Sequence, residues 1–188
     1  MTDYMPLPKN FASPVEMANF VASLAGDVAP APHEAPFAGG RDAGEAALQA
    51  IDPRAYAASR NHLDGAVTRL SPYIRHGILS LDEVRNHALA TVSHAKDAEK
   101  FIQELAWRDY WQRIYAAHPE RIWTDVEPYK TGFDVDDYAD DLPDDIASAE
   151  TGTACIDQFI TMLCETGYLH NHARMYLAAY IVHWRRVK

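Results

Sequence analysis

At 188 residues, 48% of them hydrophobic, the chain is long enough for one domain with a substantial core. Its formal net charge of −10 argues against the sequence-independent nucleic-acid affinity that comes from neutralising phosphates, although a local basic face can sit on an acidic protein. The start, Met1-Thr2-Asp3-Tyr4-Met5-Pro6, has neither a basic region nor a long apolar run, so no secretory leader is expected and the expected location is the cytoplasm.

Ser13-Pro14 opens a helical pattern over residues 15–24. Residues 26–40 are rich in Pro, Ala and Gly, the composition of a linker or wrapping segment. The expected organisation is therefore an N-terminal helix with linker over 1–40 and a main domain over 41–188. Helical patterns follow at about 42–51, 54–62, 81–94, 97–117, 153–165 and 171–186. Ser80 and Glu83 form a capping box ahead of the third of these, and the fourth stops before Pro119. Residues 125–150 carry Asp134, Asp136, Asp137, Asp140, Asp141, Asp144 and Asp145 among Pro128, Gly132 and Pro143, which reads as a solvated, irregular connection. Ile156, Phe159, Ile160 and Leu163 recur at helical spacing, and Gly167 supplies a left-handed stop. Cys155 and Cys164 lie nine apart on that helix, too far to bridge within it, and read as reduced core thiols. Residues 175–182 are apolar nearly all round, predicting a central buried helix too short to span a bilayer. No alternating run is long enough for a strand, so the expected fold class is all-α.

Three segments carry chemistry. Thr68, Arg69, Leu70 and Ser71 form a loop entering a helix near Pro72, where amides, hydroxyls and a guanidinium suit a pyrophosphate. The bland alternative is a helix cap with a surface arginine. Phe101, Glu104, Trp107, Arg108 and Trp111 recur at spacings of three and four, giving stripes of one helix. The alternative there is a core aromatic stripe with a surface ion pair. Asn171 and Arg174 share one face of the last helix and need partners from the protein or from a ligand. His170 and His172 lack a third ligand at suitable spacing, so no metal is expected.

In this order and spacing, Thr68-Arg69-Leu70-Ser71-Pro72-Tyr73-Ile74, Glu104-Leu105-Ala106-Trp107-Arg108-Asp109-Tyr110-Trp111 and Thr166-Gly167-Tyr168-Leu169-His170-Asn171-His172-Ala173-Arg174-Met175 resemble the flavin-binding helical domain of the DNA photolyase and cryptochrome family. The resemblance covers roughly residues 40–188. It implies non-covalent FAD, held by Tyr56, Thr68, Arg69, Leu70, Ser71, Phe101, Arg108 and Arg174. It implies a flipped-out pyrimidine dimer met by Arg60, Glu104, Trp107, His172 and Met175. Glu104, Trp107 and Asn171 match positions that act in repair, and Trp184 matches a member of the tryptophan relay that reduces the photoexcited flavin. Asn171 matches the cyclobutane-dimer branch.

Departures from the family pattern are Val67 where Thr or Ser is common, Phe101 for Trp, and His172 for Arg. The family's α/β antenna domain has no room before residue 40, and its Asp-Gly-Asp segment would fall beyond Lys188. The expectation is a fragment or a shortened relative with incomplete pocket and relay. The implied function is light-driven repair of cyclobutane pyrimidine dimers, with damaged DNA as partner, no membrane, and a monomeric state. The alternatives are a cryptochrome-like sensor or flavin-binding interaction protein without repair, and an isolated helical fragment that binds nothing.

Overall fold

The computed structural model describes residues 8, 10–25, 36–124, 126–127 and 131–188. Residues 1–7, the 26–35 part of the expected linker, and Asp125 and Pro128 lie outside the described residues. Among those described, the fold is all-α, with one isolated β-bridge between Ala139 and Val187. None of the described helices is long and apolar enough to cross a membrane. The chain falls into two units, Met1–Ala35 and Pro36–Lys188.

In the first unit, helix α1 (Pro14–Ala25) begins where expected, because Ser13 Oγ accepts a hydrogen bond from the Glu16 amide at 3.1 Å. Phe11 packs on Phe20 with centroids 5.4 Å apart, while Val15, Met17, Val21 and Leu24 are exposed.

In the second unit, α2 (Arg41–Gln49), α3 (Pro53–Ser59), α4 (Ser71–Arg75), α5 (Leu81–Ala90) and α6 (Glu99–Ala117) share one core. It is built from Leu48, Ile51, Leu70, Tyr73, Leu79, Val84, Ala88, Ala98 and Phe101. Each large apolar side chain buried there contributes roughly 1.5–3 kcal/mol. Asp52 caps α3 by accepting from the amides of Arg54 (2.9 Å) and Ala55 (3.0 Å). The Ser80–Glu83 capping box opens α5. Arg41 on α2 bonds both Glu45 and Glu83, and its bond to Glu83, followed by those from the Ser80 amide and hydroxyl, holds the Glu83 carboxyl down at about 2. The α3 helix stops earlier than the periodicity predicts, because the chain doubles back: His62 N bonds the Ser59 carbonyl, Gly65 N the His62 carbonyl, and Ala66 N the Ser59 hydroxyl.

A second core unites α7 (Asp144–Ala147), α8 (Ala154–Thr166) and α9 (Asn171–Ala179) through Ile146, Ile156, Phe159, Ile160, Leu169, Ala173 and Leu177. Gly167 ends α8 with φ 65°, as its place in the sequence suggests. Three expectations are corrected here. Cys155 and Cys164 are free but exposed, because each sits about 90° around α8 from the buried stripe. The last helix is not buried all round: α9 ends at Ala179 in a π-helical turn over Tyr180–Trp184, and Met175, Tyr176 and Trp184 are exposed. Only Ala173 and Leu177 of α9 reach the core. Nor is the acidic segment merely solvated. Tyr138 and Ile146 are buried, and Asp145 makes a two-pronged ion pair with Arg185 at 2.7 and 2.9 Å. Arg186 lies 4.6 Å from the Phe133 ring centroid, so residues 131–147 clasp the C-terminal strand of chain.

Candidate functional site

The site grows from the turn at Gly65. A Cβ there would lie 1.9 Å from the Ser59 carbonyl oxygen, so only glycine lets the chain fold back this tightly. Val67 N then bonds the Gly65 carbonyl, and Arg69 takes a left-handed conformation with φ 52°. That backbone costs on the order of 1–3 kcal/mol, a strain held in place by the fully buried Leu70 that follows. The α4 helix has five residues, too short for a substantial macrodipole. Attraction for an anion therefore rests on guanidinium groups, hydroxyls and individual amides, not on the helix end the sequence suggested.

The opposite wall is the entrance of α9. His170 caps the helix by accepting from the His172 amide at 3.1 Å, and Arg174 Nε donates to the Leu169 carbonyl at 3.1 Å. Between the walls lies a cleft of about 270 Å³ lined by Tyr56, Val67, Thr68, Arg69, Leu70, Ser71, Arg108, Tyr168, Leu169, Asn171 and Arg174. Seven of the eight residues expected to hold a cofactor line it, together with Asn171. The eighth, Phe101, stands behind the lining: it is buried in the core and meets Tyr56 edge-on at 5.1 Å.

Arg108 gives the cleft its most telling feature. Its Nε is buried without a hydrogen-bond partner, and burial, then the nearby Arg75, weakens its hold on its proton. An orphaned guanidinium nitrogen costs stability unless an anion or carbonyl oxygen meets it. With Arg69 and Arg174 on the same lining, three cations converge on one cleft of an acidic protein, beside the hydroxyls of Thr68 and Ser71. That donor set fits the phosphates of a dinucleotide. The volume falls just under the roughly 300–1,000 Å³ of ligand cavities, so the cleft encloses part of such a ligand.

A second group adjoins it at the end of α3 and on α6. Glu104 Oε1 lies 3.2 Å from Arg60 and 2.9 Å from Lys100. Arg60 also lies over the Tyr56 ring at 5.9 Å. The Tyr56 hydroxyl is pushed up mainly by burial and further by the Glu104 charge. Trp107, 54% exposed, meets Tyr110 edge-on at 5.6 Å, and Tyr110 meets Trp111 at 5.2 Å. Met175 is exposed, its sulfur 3.8 Å from Asn171 Nδ2. His172 is half-buried with an unpartnered Nδ1, and Trp184, 78% exposed, stands at the end of the π turn. None of Glu104, Trp107, His172, Met175 and Trp184 lines the cleft. Sequence reasoning gave no role to Tyr168 and Leu169, which line it, or to Lys100. The first two stand immediately before His170-Asn171, a signal that was available; Lys100 is visible only as an i,i+4 partner of Glu104.

Residues 101–187 match the model of a family described as the FAD binding domain of DNA photolyase, whose cofactor is FAD. A deoxyribodipyrimidine photo-lyase of Thermus thermophilus is 33% identical over 138 residues, covering 72% of this chain and 31% of that protein. One of Streptomyces griseus is 31% identical over 125 residues, covering 64% of this chain and 26% of that protein. The chain thus spans about a quarter to a third of the length of these curated relatives. A bacterial class III photolyase from Agrobacterium tumefaciens superposes with TM-score 0.66 at 17% identity, over 94% of this chain and 35% of its own. A Synechocystis sp. PCC6803 cryptochrome superposes equally well, TM-score 0.66 at 20% identity, over 85% and 35% of the two chains. At these identities the two structures speak to the fold alone.

Proposed function

Because this chain belongs to the DNA photolyase and cryptochrome family, we propose that its cleft between α4 and α9 holds non-covalent FAD and that the protein uses light to repair cyclobutane pyrimidine dimers in DNA. The observation that carries this reading is the convergence of Arg69, Arg108 and Arg174 with Thr68 and Ser71, including the orphaned Arg108 Nε. When bound and reduced, the flavin supplies a light-excited electron donor.

The chain's own residues bind and orient. Arg69, Arg108 and Arg174 neutralise phosphate charge, while Tyr56, packed on Phe101, gives the cleft a rigid aromatic edge. Asn171, at the mouth of the cleft, offers an amide donor to negative charge that develops between cofactor and substrate. Trp107 offers an exposed aromatic face for an extruded base. Glu104 keeps Oε2 for the edge of a pyrimidine while Arg60 and Lys100 hold Oε1. The acidic charge of the chain supports a second reading, a light sensor without repair.

The test is recovery of thymine absorbance in an irradiated oligothymidylate under blue light with a reductant. Recovery that needs both light and flavin supports repair. Flavin photoreduction with no recovery leaves the sensor.

A further inference from the structure

His170 is the buried polar residue of the described fold, 8% exposed, and the functional reading gives it no task. Its Nδ1 accepts the His172 amide proton at 3.1 Å, which fixes the tautomer: the ring proton sits on Nε2 and the imidazole is neutral. Nε2 is itself buried without a direct hydrogen bond, although the Arg60 carbonyl acts on the ring in favour of its proton. The ring thus stands between the end of α3, which carries Tyr56 and Arg60, and the first turn of α9, which carries Asn171 and Arg174.

We propose that His170 is the positioning residue of the flavin cleft: as a neutral cap it sets the first turn of α9, and protonation of its Nδ1 releases that turn and the cofactor with it. A proton on Nδ1 would face the His172 N–H, turning an acceptor into a second donor and leaving the α9 amide unpaired. The change is local, since Asn171 is the first residue of the helix and Arg174 lies within its first turn, anchored to the Leu169 carbonyl just before the cap.

The surroundings resist protonation. Burial lowers the affinity of the ring for a proton, and the neighbouring His172, 5.5 Å away centroid to centroid, lowers it further. The other charged groups around it are Asp64 and Arg69, which share with His170 the lining of a 450 Å³ apolar cavity behind the loop, and Arg174 on α9. Because the folded-state value lies below the ordinary 6.5, the capped form is favoured above the ordinary value and is lost as pH falls through the folded one.

The inference rests on the cleft being the flavin site, and the test separates the two. FAD affinity of the parent protein and of His170→Asn would be followed by flavin fluorescence from pH 8 to pH 5. Asn caps through an oxygen that does not titrate, so its variant keeps FAD across the range, whereas the parent loses roughly tenfold or more in the acid limb. His172→Gln retains the capping amide and the acid limb, but moves that limb to higher pH, because a neighbour that lowers the affinity of the His170 ring for a proton is gone. In parallel, long-range proton–nitrogen NMR reads the His170 tautomer, and the His172 amide shift reads the cap. Identical acid limbs in parent and His170→Asn, or a proton on Nδ1 at pH 7.5, would overturn the proposal. No flavin binding by any variant would sink the functional reading instead, with the NMR measurement still deciding the cap.

Discussion

Arg60 and Glu104 meet at 3.2 Å across the end of α3 and the middle of α6, joining the cleft wall to the aromatic face beside it. Through Tyr56, over which Arg60 lies, the same arginine touches the proposed cofactor side and the proposed substrate side. Glu104→Ala is therefore expected to lower the light-dependent repair yield while FAD content and thermal midpoint stay near those of the parent. Repair yield, flavin absorbance and Tm measured together check this; an unchanged yield would return Glu104 to a surface ion pair.

Trp107→Ala should leave FAD in place and weaken binding to dimer-containing DNA. One base–aromatic stack is worth about 1–3 kcal/mol, a loss of roughly 5- to 150-fold in affinity. The side chain is more than half exposed, so the fold should tolerate its removal. Equal affinity of parent and variant for a damaged oligonucleotide would make Trp107 simply a surface aromatic.

Gly65→Ala should damage the cleft from a distance. Its new Cβ would stand 1.9 Å from the Ser59 carbonyl, so the turn must open and carry residues 67–71 with it. The expected cost is about 1–3 kcal/mol of stability, read in chemical denaturation, with a parallel fall in FAD affinity. A variant as stable as the parent would show that the turn relaxes freely.

Asp145→Asn tests the clasp on the C-terminal segment. The hydrogen bonds from Arg185 hold the Asp145 carboxyl below its ordinary value, so the folded state is favoured above the unfolded Asp value and loses that advantage as pH falls through the folded one. The variant should melt below the parent at neutral pH, and the gap should close as pH falls from the unfolded Asp value through the folded one. A gap independent of pH would assign the effect to packing.

Much of this was legible in the residues themselves. Ser80 with Glu83, Gly167 and Pro119 mark helix boundaries because capping chemistry is local, and the structure follows them. The convergence of Thr68, Arg108 and Arg174 was not local. Each alone reads as a cap, a surface charge or a helix-face residue, and only their joint resemblance to a family brought them to one cleft. The misreadings share a cause. Residues 175–182 look like a buried helix by composition, but burial depends on what packs against a face, and only Ala173 and Leu177 of α9 find the core. The acidic residues 134–145 look like a solvated loop because the partners of Asp145 and Phe133, Arg185 and Arg186, lie some forty and more residues away in sequence.

The proposed flavin site is the cleft lined by Arg69, Arg108 and Arg174. Its most direct test is an FAD titration of the parent and of Arg108→Met, with Tm recorded for each in the absence of flavin. Arg108 Nε is buried without a partner, so removing it should leave the unliganded protein as stable as the parent or more so. FAD affinity should meanwhile fall roughly tenfold or more, the scale of one lost hydrogen bond to a charged group. An unchanged FAD affinity in Arg108→Met would contradict the assignment.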